Sequence, residues 1–288
     1  MMDMDTTTQK NTPAADWTEV EGIGYKVYGD GPLTILLLRG LGRWSEHWLG
    51  FDQRLAESGY RVISVDNRGF GASSAARLPS GNGILDLAED VAAIVSREAP
   101  EGALVIGVSL GGMIALGLAA TRPQLVRGLM LVNSSVGAGT FKRISRPALM
   151  AVLTAILGVK KGYSSLAAVL LSNSATADAR HNLAERWLEI DKKQRPDPWR
   201  IISQLKMARR FYGLPELLSI RCPAVVIQST GDLFVDPANS DFIHRQIKGS
   251  ILLSHPTAGH ELAFEDPQWL TSQIQNFAKQ LTGQNRLV

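Results

Sequence analysis

The sequence predicts an α/β fold: a mostly parallel sheet flanked by helices and interrupted by one long helical insertion. Two observations carry this. Short apolar runs bounded by Gly, Pro or Asp alternate with longer stretches of helical period, the pattern of repeated strand–helix–strand units. The alternation then fails once, from Val136 to about Pro215, where helical pattern is punctuated by Pro147, Pro196, Pro198 and Gly213 without a strand signal. With 288 residues, 45% apolar and 20% charged, the chain can bury one sizeable core, and nothing in its composition signals low complexity.

In order along the chain, residues 1–16 are polar and predict a disordered tail, without the basic-then-apolar plan of a secretory signal. Trp17 to Tyr28 predicts a leading antiparallel pair at the sheet edge. Strands are predicted at Thr34 to Leu38, Arg61 to Val65, Leu104 to Val108, Leu129 to Val132, Ala224 to Gln228 and Ile251 to Ser254. Helices are predicted at Ser45 to Glu57, Leu85 to Arg97, Leu110 to Thr121, Asn239 to Ile247 and Pro267 to Leu281. On the Ser45 to Glu57 helix and its approach, Trp44 and Trp48 are four residues apart and are expected to share one face. Residues 17–135 and 216–288 thus form the core and 136–215 a helical cap over the strand ends, where α/β sheets bind ligands. No apolar run reaches the roughly 20 residues that span a bilayer, and the expected location is cytoplasmic.

Several chemistries are disfavoured. Cys222, the single cysteine, can form no intramolecular disulfide and reads as a packed thiol beside Pro223. The five histidines show no metal-ligand spacing, so neither a metal nor a cofactor is expected. No nucleic-acid motif is present, and a net charge of +3 requires no such partner. Charge is nonetheless segregated: residues 137–215 hold 14 basic and 5 acidic side chains, a net +9. Such a surface fits either simple solvation or an acidic partner, with Lys142, Arg143, Arg146, Lys160 and Lys161 as its clusters.

The strongest local signal is Leu104-Val105-Ile106-Gly107-Val108-Ser109-Leu110-Gly111-Gly112, an apolar strand running through Gly-x-Ser-x-Gly into a helix. Glycines two residues either side of Ser109 allow a strained turn and close neighbours, so the hydroxyl can stand exposed above the sheet. A serine needs a base, and the base needs an orienting acid. Asp232 follows the strand Ala224 to Gln228 and His260 follows the last strand, giving the chain order Ser, Asp, His. His255 and Asp236 are the competitors, each placed beside a proline as a structural loop residue would be. The backbone amides of Leu41, in Arg39-Gly40-Leu41-Gly42, and of Leu110 are the expected oxyanion donors.

These motifs, with Asp66-Asn67-Arg68-Gly69-Phe70-Gly71-Ala72-Ser73 between them, resemble the α/β-hydrolase superfamily in order and spacing from about Pro32 to Phe277. Outside the cap the chain looks like the small esterase, lactonase and cofactor-free haloperoxidase branch, and Glu265-Asp266-Pro267 fits it too. The resemblance implies eight strands, a helical cap and a serine triad. It departs at Arg39, where the family usually has His; a guanidinium there could pair with an acid or alter substrate choice. Relatives with Asp at the elbow, the dehalogenases and epoxide hydrolases, are disfavoured by Ser109. The leading expectation is hydrolysis of a small-molecule carboxylic ester of small or medium acyl group. The alternatives are a lactonase, an esterase acting on a methyl ester presented by an acidic carrier protein, a carbon–carbon bond hydrolase, a haloperoxidase, or a ligand receptor on the same fold.

Overall fold

The computed structural model describes residues 17–78, 83–136, 144–156 and 160–283. The tail expected over 1–16, and Lys142 and Arg143, lie outside them. The sheet strands are β1 (Thr18–Val20), β2 (Ile23–Tyr28), β3 (Thr34–Leu38), β4 (Arg61–Val65), β5 (Ala103–Val108), β6 (Val126–Val132), β7 (Ala224–Ser229) and β8 (Ile251–His255). They form one eight-stranded sheet in the order β1-β2-β4-β3-β5-β6-β7-β8. β1 and β2 run antiparallel at one edge, and β3 to β8 pair in parallel. The predicted α/β class holds.

The helices are α1 (Phe51–Glu57), α2 (Gly83–Glu98), α3 (Leu110–Thr121), α4 (Arg146–Ile156), α5 (Lys160–Leu170), α6 (Ala177–Lys193), α7 (Pro198–Arg210), α8 (Leu214–Ser219), α9 (Ala238–Gln246), α10 (Leu262–Glu265) and α11 (Pro267–Leu281). Because side chains alternate along a strand, Leu36 and Leu38 of β3 join a core with α2 and α3, while Ile35 and Leu37 join another with α1 and α11. Burial on both faces is why the parallel strands read as continuous apolar runs. Helices α4 to α6, with Trp44, Phe70 and Phe234, enclose a third core above the strand ends. Met207 and Phe211, at the end of α7, pack instead into the core of α2 and α3.

Two local expectations are corrected. Ser45 to Glu57 is not one helix: a 3-10 turn at Ser45–Trp48 is followed by Leu49 at φ 54° and Gly50 at φ 84°, and α1 begins only at Phe51. Two successive left-handed residues cannot continue an α-helix. Trp44 is extended at φ −138°, so the four-residue helical spacing does not apply to it. It packs in the core above the strand ends, whereas Trp48 packs on the α1 and α11 side.

Candidate active site

Every sequence-predicted site residue lies at or just beyond the C-terminal end of a parallel strand. Ser109 stands between the end of β5 and the start of α3; its φ of 57° and ψ of −120° place a non-glycine residue at a positive φ that costs roughly 1–3 kcal/mol. The glycines make that turn sterically feasible. A Cβ on Gly107 would lie 2.3 Å from the Gly111 carbonyl oxygen, and one on Gly111 would lie 2.2 Å from that of Leu38. Leu38 pairs with Gly107 in the sheet, which sets the Arg39 to Gly42 loop beside the serine. A Cβ on Gly40 would press on Ser109 Cβ at 3.1 Å. The Ser109 hydroxyl is half-buried and makes no hydrogen bond among the described residues.

Asp232 and His260 are joined by a 2.7 Å hydrogen bond between Oδ2 and Nδ1, with both side chains buried. Oδ1 of Asp232 accepts from the Phe234 and Val235 amides at 2.8 and 2.9 Å, so the carboxylate has little freedom to rotate. Burial alone would lower the His260 pKa. The Asp232 charge and hydrogen bond outweigh it, and the imidazole is held above its ordinary value. Nδ1 donating to Asp232 leaves Nε2 as the basic nitrogen, and His260 lines the same cavity as Ser109. The amides of Leu41 and Leu110 have no acceptor among the described residues, and both flank Ser109.

The competitors do other work. His255 Nδ1 accepts from the Ala258 amide at 2.8 Å and its ring meets Trp269 edge-on, so it shapes the turn that leads to His260. Asp236 accepts from the Ala238 amide at 3.0 Å at the start of α9. Arg39 forms a buried ion pair with Glu261, its Nη2 donating to both carboxylate oxygens at 3.1 and 3.0 Å, and its guanidinium lies over the Trp48 ring at 4.6 Å. Cys222 is half-buried, and burial pushes its thiol up to about 11.

Four residues that support or line the site carried no assigned role in the sequence, Glu265 entering there only within the Glu265-Asp266-Pro267 motif. Asn133, at the end of β6 with φ 47°, has Nδ2 within 3.2 Å of the Gly259 and His260 carbonyls, while its Oδ1 accepts from the Ser229 amide at 2.8 Å. Glu265 accepts from the Gly259 amide at 2.6 Å and from Ser172. Gln204 of α7 accepts from the Gly42 amide at 2.8 Å, fixing the Arg39 to Gly42 loop from the insertion side. Arg43 lines the cavity and is anchored by Asp191. The Asn133-Ser134-Ser135 run after an apolar strand was the available sign for the first; the others are made by contacts between residues far apart in sequence.

Two cavities meet at Ser109. One is a small chamber of about 50 Å³ between the Gly40 loop, His260 and the insertion helices, walled by Arg43, Tyr163, Trp187 and Asp191. The other is an open, mainly apolar groove of about 590 Å³ lined by Leu110, Met113, Leu149, Ile202, Leu205 and Tyr212. Among the described residues no group of His, Cys, Asp and Glu could hold a metal, and no helix is long and apolar enough to cross a membrane.

Comparison with known proteins agrees with this fold. The family model described as alpha/beta hydrolase fold matches residues 34–155. Over 112 residues the chain is 41% identical to the "Putative carbamate hydrolase RutD" of Variovorax paradoxus; that match covers 38% of this chain and 41% of the relative's length. The esterase of Exiguobacterium antarcticum superposes with a TM-score of 0.76 at 18% identity, covering 92% of this chain and all of the other. The enol-lactonase of Burkholderia xenovorans superposes with a TM-score of 0.71 at 23% identity, covering 92% of this chain and all of the other. At such identities the superpositions speak for the fold.

Proposed function

We propose that this protein, a member of the α/β-hydrolase superfamily, hydrolyses a carboxylic ester through an acyl-enzyme on Ser109. The observation that carries the proposal is the buried 2.7 Å Asp232–His260 bond opening on the same cavity as a serine held at positive φ. In the reaction Ser109 Oγ bonds to the ester carbon as His260 Nε2 takes its proton, and the carbonyl electrons move onto oxygen. The Leu41 and Leu110 amides receive that oxyanion. Collapse expels the alkoxide, which takes the proton from His260; water then repeats the sequence and frees the acid. Asp232 holds the ring and stabilises its cationic form.

The acyl chain has a place in the apolar groove, whose size suits a medium acyl group. Carbamates and lactones are accessible to the same steps, since each presents an acyl carbon to a serine nucleophile. An ester presented by an acidic carrier is the second reading. Exposed Arg146 and Lys161 favour it, and Lys160 counts against it because Glu185 already pairs with it at 2.7 Å. The test is hydrolysis of p-nitrophenyl esters of rising acyl length by the wild type and by Ser109→Ala. Turnover abolished in the variant supports the nucleophile. Folded wild type inactive across the series would set ester hydrolysis of free substrates aside.

A further inference from the structure

The two cavities at Ser109 are chemically unlike, and the position of His260 tells them apart. His260 lines the small chamber and is absent from the groove wall, whereas Leu110 lines the groove alone. The general acid must reach the departing oxygen. The leaving alcohol therefore occupies the chamber, and the acyl chain the groove.

Together with Tyr163, Asp191, Arg195 and Glu261, the chamber's polar lining includes Arg43, which is 9% exposed. Its guanidinium lies 3.9 Å from the centre of the Trp187 ring, which fixes its plane. Nη1 is engaged, at 3.4 Å from Asp191 and 3.3 Å from His47 Nε2. Nε and Nη2 have no hydrogen-bond partner among the described residues. Trp187 is 2% exposed, and its Nε1 is likewise without a partner there.

Asp191 neutralises Arg43 weakly, since it also accepts from the Tyr163 hydroxyl at 2.5 Å and lies 3.3 Å from His47. The buried Trp187 Nε1 is costly without an acceptor unless a ligand supplies one, and Arg43 Nε and Nη2 add two unpartnered donors that are not sealed from solvent. A guanidinium offering two adjacent N–H groups matches a carboxylate above all, and a carbonyl second.

We propose that Arg43 is a leaving-group binding residue, and that the preferred substrates are medium-chain acyl esters of a small hydroxy acid or hydroxy ketone. Its oxygen acceptor bonds to Arg43 while its ester oxygen faces His260. A chamber of about 50 Å³ admits a group of about four water-sized atoms, enough for a two-carbon acid. This deepens the ester-hydrolase reading and rests on it.

The test compares carboxymethyl, acetonyl and isobutyl hexanoate, three leaving groups of similar size with a carboxylate, a ketone and no acceptor. For the wild type, kcat/KM for the carboxymethyl ester is expected to exceed that for the isobutyl ester by about 10- to 100-fold, as a charge-assisted hydrogen bond allows. The acetonyl ester should fall between them. Arg43→Lys keeps a cation opposite Asp191 but lacks the planar fork, and should collapse that ratio towards one. A wild-type ratio near or below one, or a ratio unchanged in Arg43→Lys, overturns the proposal. Calorimetric titration of full-length Ser109→Ala with glycolate gives a readout independent of turnover. Saturable binding lost on adding Arg43→Lys supports the site even if no ester is cleaved, whereas absent or unaltered binding sinks it even if esters are.

Discussion

Asn133 bonds to His260 through the backbone rather than the ring: its Nδ2 lies 3.1 Å from the His260 carbonyl oxygen and 3.2 Å from that of Gly259. The same side chain accepts from the Ser229 amide at the end of β7, so one buried amide ties together the loops that carry His260 and Asp232. Removing it leaves several buried partners unsatisfied, at about 1–3 kcal/mol each. Asn133→Ala should lower kcat by about 10²-fold, as small misplacements of catalytic groups do, with a much smaller change in KM. A lowered melting temperature with kcat intact would show that Asn133 serves the fold alone.

The Asp232–His260 bond has a consequence for pH. His260 must be neutral to accept the serine proton, and Asp232 raises its pKa against the lowering effect of burial. The acid limb of kcat/KM should therefore fall above the ordinary histidine value of about 6.5. Asp232→Asn keeps an oxygen for the Phe234 and Val235 amides but removes the charge. It should cut kcat by about 10⁴-fold and shift the residual activity's acid limb to lower pH. An unmoved limb would remove Asp232 as the cause.

His47 supplies a stability prediction of opposite sign. Burial pushes its pKa down to about 4 against the pull of Asp191, so the folded protein keeps it neutral where the unfolded chain takes up a proton. Stability from this group is full above about pH 6.5 and is lost as pH falls towards 4, about 2 kcal/mol between pH 7 and 5. Urea denaturation of wild type and His47→Gln at both pH values reads the difference. Equal pH dependence in the two proteins would refute it.

Arg39 and Glu261 form a buried ion pair next to His260. Glu261→Gln strands the guanidinium, at a cost of about 3–5 kcal/mol. Replacing both, as Arg39→Met with Glu261→Gln, should recover most of that loss. Thermal unfolding of the single and double variants measures the coupling, and a double variant no more stable than Glu261→Gln would argue against it.

Much of this molecule was legible in its sequence because the relevant signals are local. Parallel strands buried on both faces read as apolar runs, so β3 and β4 match their predicted limits and the other core strands differ only at their ends. The elbow at Ser109 was equally plain, since glycines at 107 and 111 are needed by the turn itself. A local signal misled where backbone sign mattered: the apolar spacing through Ser45 to Glu57 reads as one helix, and only the left-handed pair Leu49 and Gly50 divides it.

What the sequence by itself determined was the α/β class, the strand–turn–helix at Ser109 and the chain order of Ser109, Asp232 and His260. Tertiary structure decided that Asp232 meets His260, how Asn133 and Glu265 hold the His260 loop, and that Arg39 faces Glu261 while Arg43 faces the small chamber beside Ser109. The reason is physical. Turn chemistry and strand period act over a few residues, whereas the partner of a buried charge is set by whichever distant segment packing brings within about 3 Å, as Glu261 meets Arg39 across 222 residues of chain.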